Sequence, residues 1–147
     1  MKKKVTAFIV RTSREGINEL LVHSFAADPS LPMRLPGGGI HEQETPKQAL
    51  LRELREETRL EALQSVRKLG VQTYYKPYIQ ADVERHDFLL RSLIELPDHW
   101  EHRVGGNGAD AGAVFRFHWL NPQALTTIDE EHRRFIRPDY LPELFNK

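Results

Sequence analysis

Arg52, Glu53, Glu56 and Glu57 stand at fixed offsets behind three consecutive glycines, Gly37, Gly38 and Gly39, and an isolated glutamate, Glu44. On a helix, Glu53 has Glu56 and Glu57 as its i,i+3 and i,i+4 neighbours, and like charges at that spacing cost about 0.2 to 0.5 kcal/mol per pair. A divalent cation reverses the sign of that cost, because hard carboxylate oxygens are the ligands Mg²⁺ and Mn²⁺ prefer. Arg52 lies one turn before Glu56 and can hold a carboxylate in orientation without competing for the metal. The glycines let the backbone come close to a ligand, so a main-chain carbonyl there, with Gly38 the candidate, can join the metal shell. Such a site suits a diphosphate. Glu- and Arg-rich helix faces are often only solvated surface laced with ion pairs, and RELREE alone does not separate the two readings. The full pattern does, since its six fixed polar or glycine positions would match by accident on the order of once in 10⁵.

The elements that must position these groups can be read from the same residues. Thr45, Pro46 and Gln48 give a hydroxyl N-cap, proline at the first helical position and a capping-box partner, so a helix is predicted over residues 46–59. Leu50, Leu51, Leu54 and Thr58 fall on one side as the face to be buried, with Arg52, Arg55 and Arg59 roughly opposite. Apolar runs at 5–10 and 20–23, separated by RTSREGIN, predict a hairpin. Further strands are expected at 66–75, 86–94 and 113–120, with a glycine-rich polar loop at 98–112 of the length that carries function. Asp129 caps a second predicted helix over 129–136, and two prolines break the tail. Strands interleaved with two helices in this order give an α/β protein with a mixed β-sheet between helices, in a single domain spanning 1–147.

From Gly38 to Leu60 the chain resembles the Nudix box: glycine, five residues, glutamate, seven residues, then Arg-Glu-apolar-any-Glu-Glu-any-Gly-apolar. Gly38, Glu44, Arg52, Glu53, Leu54, Glu56, Glu57 and Leu60 match it. Arg59 stands where the family usually has the glycine that ends the helix in a left-handed turn, so it either adopts a strained cap or lets the helix run on. His41 and Gln43 replace a glutamate and a glycine often seen in the loop. The resemblance implies the Nudix α/β/α sandwich and a hydrolase that cleaves the diphosphate (pyrophosphate) bond of a nucleoside diphosphate linked to another moiety, using Mg²⁺ or Mn²⁺. It implies that Glu53, Glu56 and Glu57 bind the metal and that a box glutamate activates water, here taken as Glu53. Cations neutralise charge on the bridging and departing oxygens and lower the pKa of a water they touch.

Other candidates follow with less pattern behind them. Family members often recruit a further carboxylate from the loop before the last strand, where Glu101 and Asp110 compete with being ordinary exposed residues; His102 is equally ambiguous. Arg34, just before the glycines, can reach a phosphate with its planar fork, or equally be an ordinary solvent-facing arginine. A base or sugar needs a stacking platform, which Phe25, Tyr74, Tyr75, Tyr78 or Trp100 can supply, although most of these read more readily as core or rim residues, and Trp119 reads as packing. Substrate cues in the family place a proline or a tyrosine shortly after the box, and Pro77 and Tyr78 stand side by side there, so the cue cancels itself.

Composition narrows the classes. Lys plus Arg and Asp plus Glu both number 21, so no global basic field points to long nucleic acid, and a small-molecule nucleotide is favoured. Cysteine is absent, which excludes disulfides, thiolate metal sites and a cysteine nucleophile. The basic start followed by VTAFIV is too short an apolar run for a signal peptide or a membrane span, so a cytoplasmic protein is expected. Many relatives pair, so a homodimer is open. The competing reading is a nucleotide-sensing Nudix module that binds without cleaving, although such modules generally lose box glutamates that this chain keeps.

Overall fold

The computed structural model describes residues 1–145. Its centre is β1 (Lys2–Thr12), whose residues Val5 to Val10 are buried without a break, as befits a strand covered on both faces. Along its first part β1 pairs in parallel with β5 (Ala81–Ser92), and its other edge takes β3 (Gly37–Gly39) in antiparallel register, Val5 opposite Gly38. Only from Val10 onward does β1 pair with β2 (Asn18–Phe25), forming the expected hairpin about Gly16. Outward on one side lies β4 (Leu63–Lys76), and on the other β7 (Val114–Leu120) followed by β6 (Trp100–Arg103), so the sheet runs β4-β5-β1-β2-β7-β6. The two halves of β1 thus serve different neighbours, and the glycine strand is strapped beside its beginning.

One face carries α1 (Pro46–Thr58), whose Ala49, Leu50 and Leu54 pack on Val5, Ala7, Ile9 and Leu21. Both halves of the capping box are present, Gln48 N donating to Thr45 Oγ1 at 3.2 Å and Thr45 N to Gln48 Oε1 at 2.9 Å. At the other end Arg59 adopts the left-handed cap, φ 65° and ψ 12°, and Thr58 Oγ1 accepts from Leu60 N at 3.0 Å. The strained cap is the alternative realised, held by Thr58 where a glycine would need no help. Leu51 corrects the expected buried face: it is 45% exposed, because the arc against the sheet centres between Leu50 and Leu54 and leaves Leu51 at its border. Leu54→Ala should destabilise the protein by about 2 to 5 kcal/mol as a truncation in this core. Urea denaturation checks it, and wild-type stability would show that Leu54 is not a packing anchor.

The opposite face is closed differently from expectation. Residues 129–136 do not form an α-helix: Asp129 caps only a 3₁₀ turn, Glu130–His132, and the chain then continues irregularly to α2 (Pro142–Phe145). His132 is drawn inward by a bond from Leu35 N to its Nδ1 at 3.1 Å, and Pro138 disfavours helical geometry at Arg137. Ile128, Phe135, Ile136, Leu141 and Leu144 still cover Phe8, Val10, Leu20 and Val22. Strand β6 lies inside the segment expected to be loop, and β3 was not foreseen. Strands so short carry no periodicity of their own and exist through their partners. Among the described residues no helix is long and apolar enough to cross a membrane.

Candidate active site

The box side chains meet at the glycine strand. Glu57 is 4% exposed, and its Oε1 accepts from Gly37 N at 2.7 Å. Burial pushes its carboxyl well above the usual range, the Gly37 N–H opposes that, and Glu53 and Asp110 raise it further. Glu53 is raised mainly by burial, against the pull of Arg52. Its carboxylate lies so close to Gly38 that a Cβ there would collide with it. Glu56 is held at both ends: its carbonyl accepts from Gly105 N at 2.9 Å and from the His102 ring Nε2 at 2.9 Å, and its carboxylate rests against Gly106, where φ is 71° and a side chain would clash.

Arg52 does something the spacing did not reveal. Its Nε and Nη2 donate to the two oxygens of Glu44 at 2.7 and 2.8 Å, Nη2 also donates to Gly39 O at 2.7 Å, and Nη1 reaches Glu53 Oε1 at 3.0 Å. Its contact with Glu56 is longer, 3.4 Å. Arg52 is therefore first a bidentate clamp that ties the loop before α1 to the helix, and the same bonds hold the Glu44 carboxyl down at about 2. Glu44 was read as part of the pattern but not as this anchor.

A cavity of about 600 Å³ brings together Gly38, Arg52, Glu53, Glu56 and Glu57 with Arg34, Tyr74 and Asp110. Glu101 is not among them. It stands opposite Arg116 in the β6–β7 ladder and pairs with it at 2.7 Å on the exposed surface, so the strand register carries it away from the cavity. Of the aromatic candidates, Trp100 stacks on Phe117 at 4.9 Å and Phe25 packs edge-on to Phe115 at 5.0 Å, both in the core. Tyr75 is exposed and lies outside the cavity, whereas Tyr78 lines it at 93% exposure. Trp119 packs as expected beneath Arg11, with Nε1 donating to Pro97 O at 2.9 Å. Sequence reasoning missed Lys4, Arg85 and His132, which also line the cavity.

Among the described residues no three His, Asp or Glu side chains are already gathered into a metal cage. The donor chemistry nonetheless fits a hard dication. The three box carboxylates border one cavity beside main-chain oxygens, Glu53 and Glu57 are desolvated, and Glu53 raises Glu57 further, a strain that a bound cation relieves.

A mixed sheet with a carboxylate-bearing helix beside a glycine strand and a polar cavity defines the Nudix class of α/β protein. A family model of the NUDIX domain matches residues 2–138. The chain belongs to the Nudix family and is a pyrophosphohydrolase of the Nudix type. No curated protein matches it by sequence. Among solved structures it is similar to the E. coli dihydroneopterin triphosphate pyrophosphohydrolase, at 15% identity over 99% of this chain and 96% of that one, TM-score 0.68. A C. elegans Ap4A hydrolase aligns at 20% identity over 87% of this chain and 86% of that one, TM-score 0.60. A UDP-X diphosphatase aligns at 17% identity over 98% and 61%, TM-score 0.64. At these identities the likeness is one of fold.

Proposed function

We propose that the protein hydrolyses the diphosphate bond of a nucleoside diphosphate joined to another moiety, with Mg²⁺ or Mn²⁺ held by Glu53, Glu56, Glu57 and the main chain at Gly38. The observation that carries this reading is the shared cavity: box carboxylates border it together with Lys4 and Arg34, which form no ion pair among the described residues. Anion-binding cations and cation-binding carboxylates in one cleft are what a metal–diphosphate complex requires. When bound, the dication supplies a Lewis acid that neutralises charge on the phosphate oxygens. Glu53, desolvated and raised, takes the proton from the attacking water. Lys4 and Arg34 orient the phosphates, and Asp110 on the facing loop adds negative charge beside Glu57. Arg52 is a positioning residue, fixing the loop and Glu53 through Glu44 and Gly39. The reading places the enzyme in the cytoplasm, acting on small-molecule nucleotides.

Ap4A, dihydroneopterin triphosphate and UDP-X, named for three structural neighbours, supply the starting panel together with nucleoside triphosphates and nucleotide sugars. Wild type should release monophosphate from at least one compound with Mg²⁺, and Glu56→Gln should do so at least about 100-fold more slowly. Release by neither protein would favour a sensing module, and equal release by both would move the chemistry to another site.

A further inference from the structure

Among the described residues three buried side-chain polar atoms have no hydrogen-bond partner: Nδ1 of His23, the hydroxyl of Tyr74 and Nη1 of Arg85. All three belong to residues lining the cavity that holds the box carboxylates. Unpaired buried polar groups weaken a fold, so their gathering at one place calls for a ligand rather than for packing.

Strand geometry explains why Arg85 cannot satisfy itself. Arg85 and Asp87 lie two apart on β5, hence on one face, and Gln72 of β4 lies directly opposite Arg85. Nε and Nη2 of Arg85 donate to the two Asp87 oxygens at 2.9 and 3.2 Å, and Gln72 Nε2 donates to Asp87 Oδ2 at 2.9 Å. The guanidinium is therefore fixed and its charge balanced, and Nη1 is left as a donor. Tyr74 lies beside it, the Arg85 Cζ standing 5.7 Å from its ring centre. Burial raises the Tyr74 phenol against the pull of this cation and keeps it protonated, and neither the Tyr74 hydroxyl nor Arg85 Nη1 meets the geometry of a hydrogen bond. His132 adds another donor: Nδ1 accepts from Leu35 N, and burial holds the ring neutral, so its proton sits on Nε2.

Charge separates this wall from the phosphate groups. Among the described residues Lys4 and Arg34 form no ion pair and so draw an anion, whereas Arg85, already neutralised by Asp87, suits an uncharged oxygen acceptor. Resting on the diphosphatase reading above, we infer that Arg85 and Tyr74 form a base-reading subsite that takes the carbonyl oxygen of an oxo base such as guanine or uracil and rejects the amino base. An amino group at that position sets donor against donor and leaves Nη1 unpaired again. Both atoms are sealed from bulk water and Tyr74 is half-buried, so the subsite requires a swing of the Tyr74 ring on binding, a change side chains commonly make.

The test is calorimetric binding with Mg²⁺ and α,β-methylene triphosphates, which resist cleavage at that link, compared as guanosine against adenosine and uridine against cytidine. Wild type should bind the oxo member of each pair at least about tenfold more tightly. Tyr74→Phe should narrow that ratio by at least about threefold, chiefly by weakening the oxo member, with thermal stability unchanged or raised because the lost hydroxyl has no partner. Equal binding of both members by wild type, no binding of either, or an unchanged preference in Tyr74→Phe would overturn the inference. Cleavage of the ordinary triphosphates is scored separately. Its absence beside an intact oxo preference would sink the diphosphatase reading and leave base reading standing.

Discussion

Glu57→Gln should cut activity by at least about 100-fold while leaving the metal-free protein as stable as wild type or more so. The side chain that replaces Glu57 keeps an oxygen to accept from Gly37 N, so the bond anchoring the glycine strand to α1 survives. What disappears is a negative charge that burial disfavours and that Glu53 and Asp110 repel. Because the folded-state carboxyl is raised above its ordinary 4.5, the wild-type fold binds that proton more tightly than the unfolded chain does. Its stability therefore declines as pH rises through that window. The advantage of Gln over Glu should be larger at neutral pH and should fade as pH falls towards 4.5. Turnover of a panel substrate and thermal melts in EDTA at both ends of this range check the two halves. A large fall in melting temperature at neutral pH would mean that the carboxylate serves the fold, against the role given to it here.

The helix and its charged face were legible because their signals are local. Thr45, Pro46 and Gln48 dictate a start whatever the rest of the chain does, and the offsets among Glu53, Glu56 and Glu57 fix one angular stripe. Central strands were legible through their β-branched apolar runs. The glycine strand was not, since Gly37–Gly39 has no side chains to show a period and is a strand only because β1 lends it partners. The segment after Asp129 misled for the opposite reason. Its spacing suits a helix, but the inward pull on His132 and the proline beyond Ile136 override it. Of the site, one wall was visible and the other hidden. Starting the fifth strand at His86 instead of Ala81 placed Arg85 outside it, and so concealed a charged pair alternating with Val83 and Leu89 on a buried face. Charges at such interior positions are paired or functional, which is the signal that a longer strand would have exposed.

Arg85→Met should destabilise the protein by about 3 to 5 kcal/mol, because Asp87, 0% exposed, would lose the guanidinium that compensates it. Burial already raises the Asp87 carboxyl against the pull of Arg85 and Gln72, and without Arg85 only the Gln72 amide and the weaker pull of His86 would oppose it. The double variant Arg85→Met, Asp87→Leu should recover most of that loss, since removing both charges removes their desolvation together. It should fall short by about 1 kcal/mol for the bond that Gln72 then cannot make. Urea denaturation of the wild type, the single and the double variants decides between two accounts. Equal losses in single and double would mean that Arg85 stabilises through the packing of its stem alone. Recovery would mean that the fold can do without the pair, which would leave the open donor in the wall of the cavity of the box carboxylates as the feature to explain, as the base-reading proposal requires.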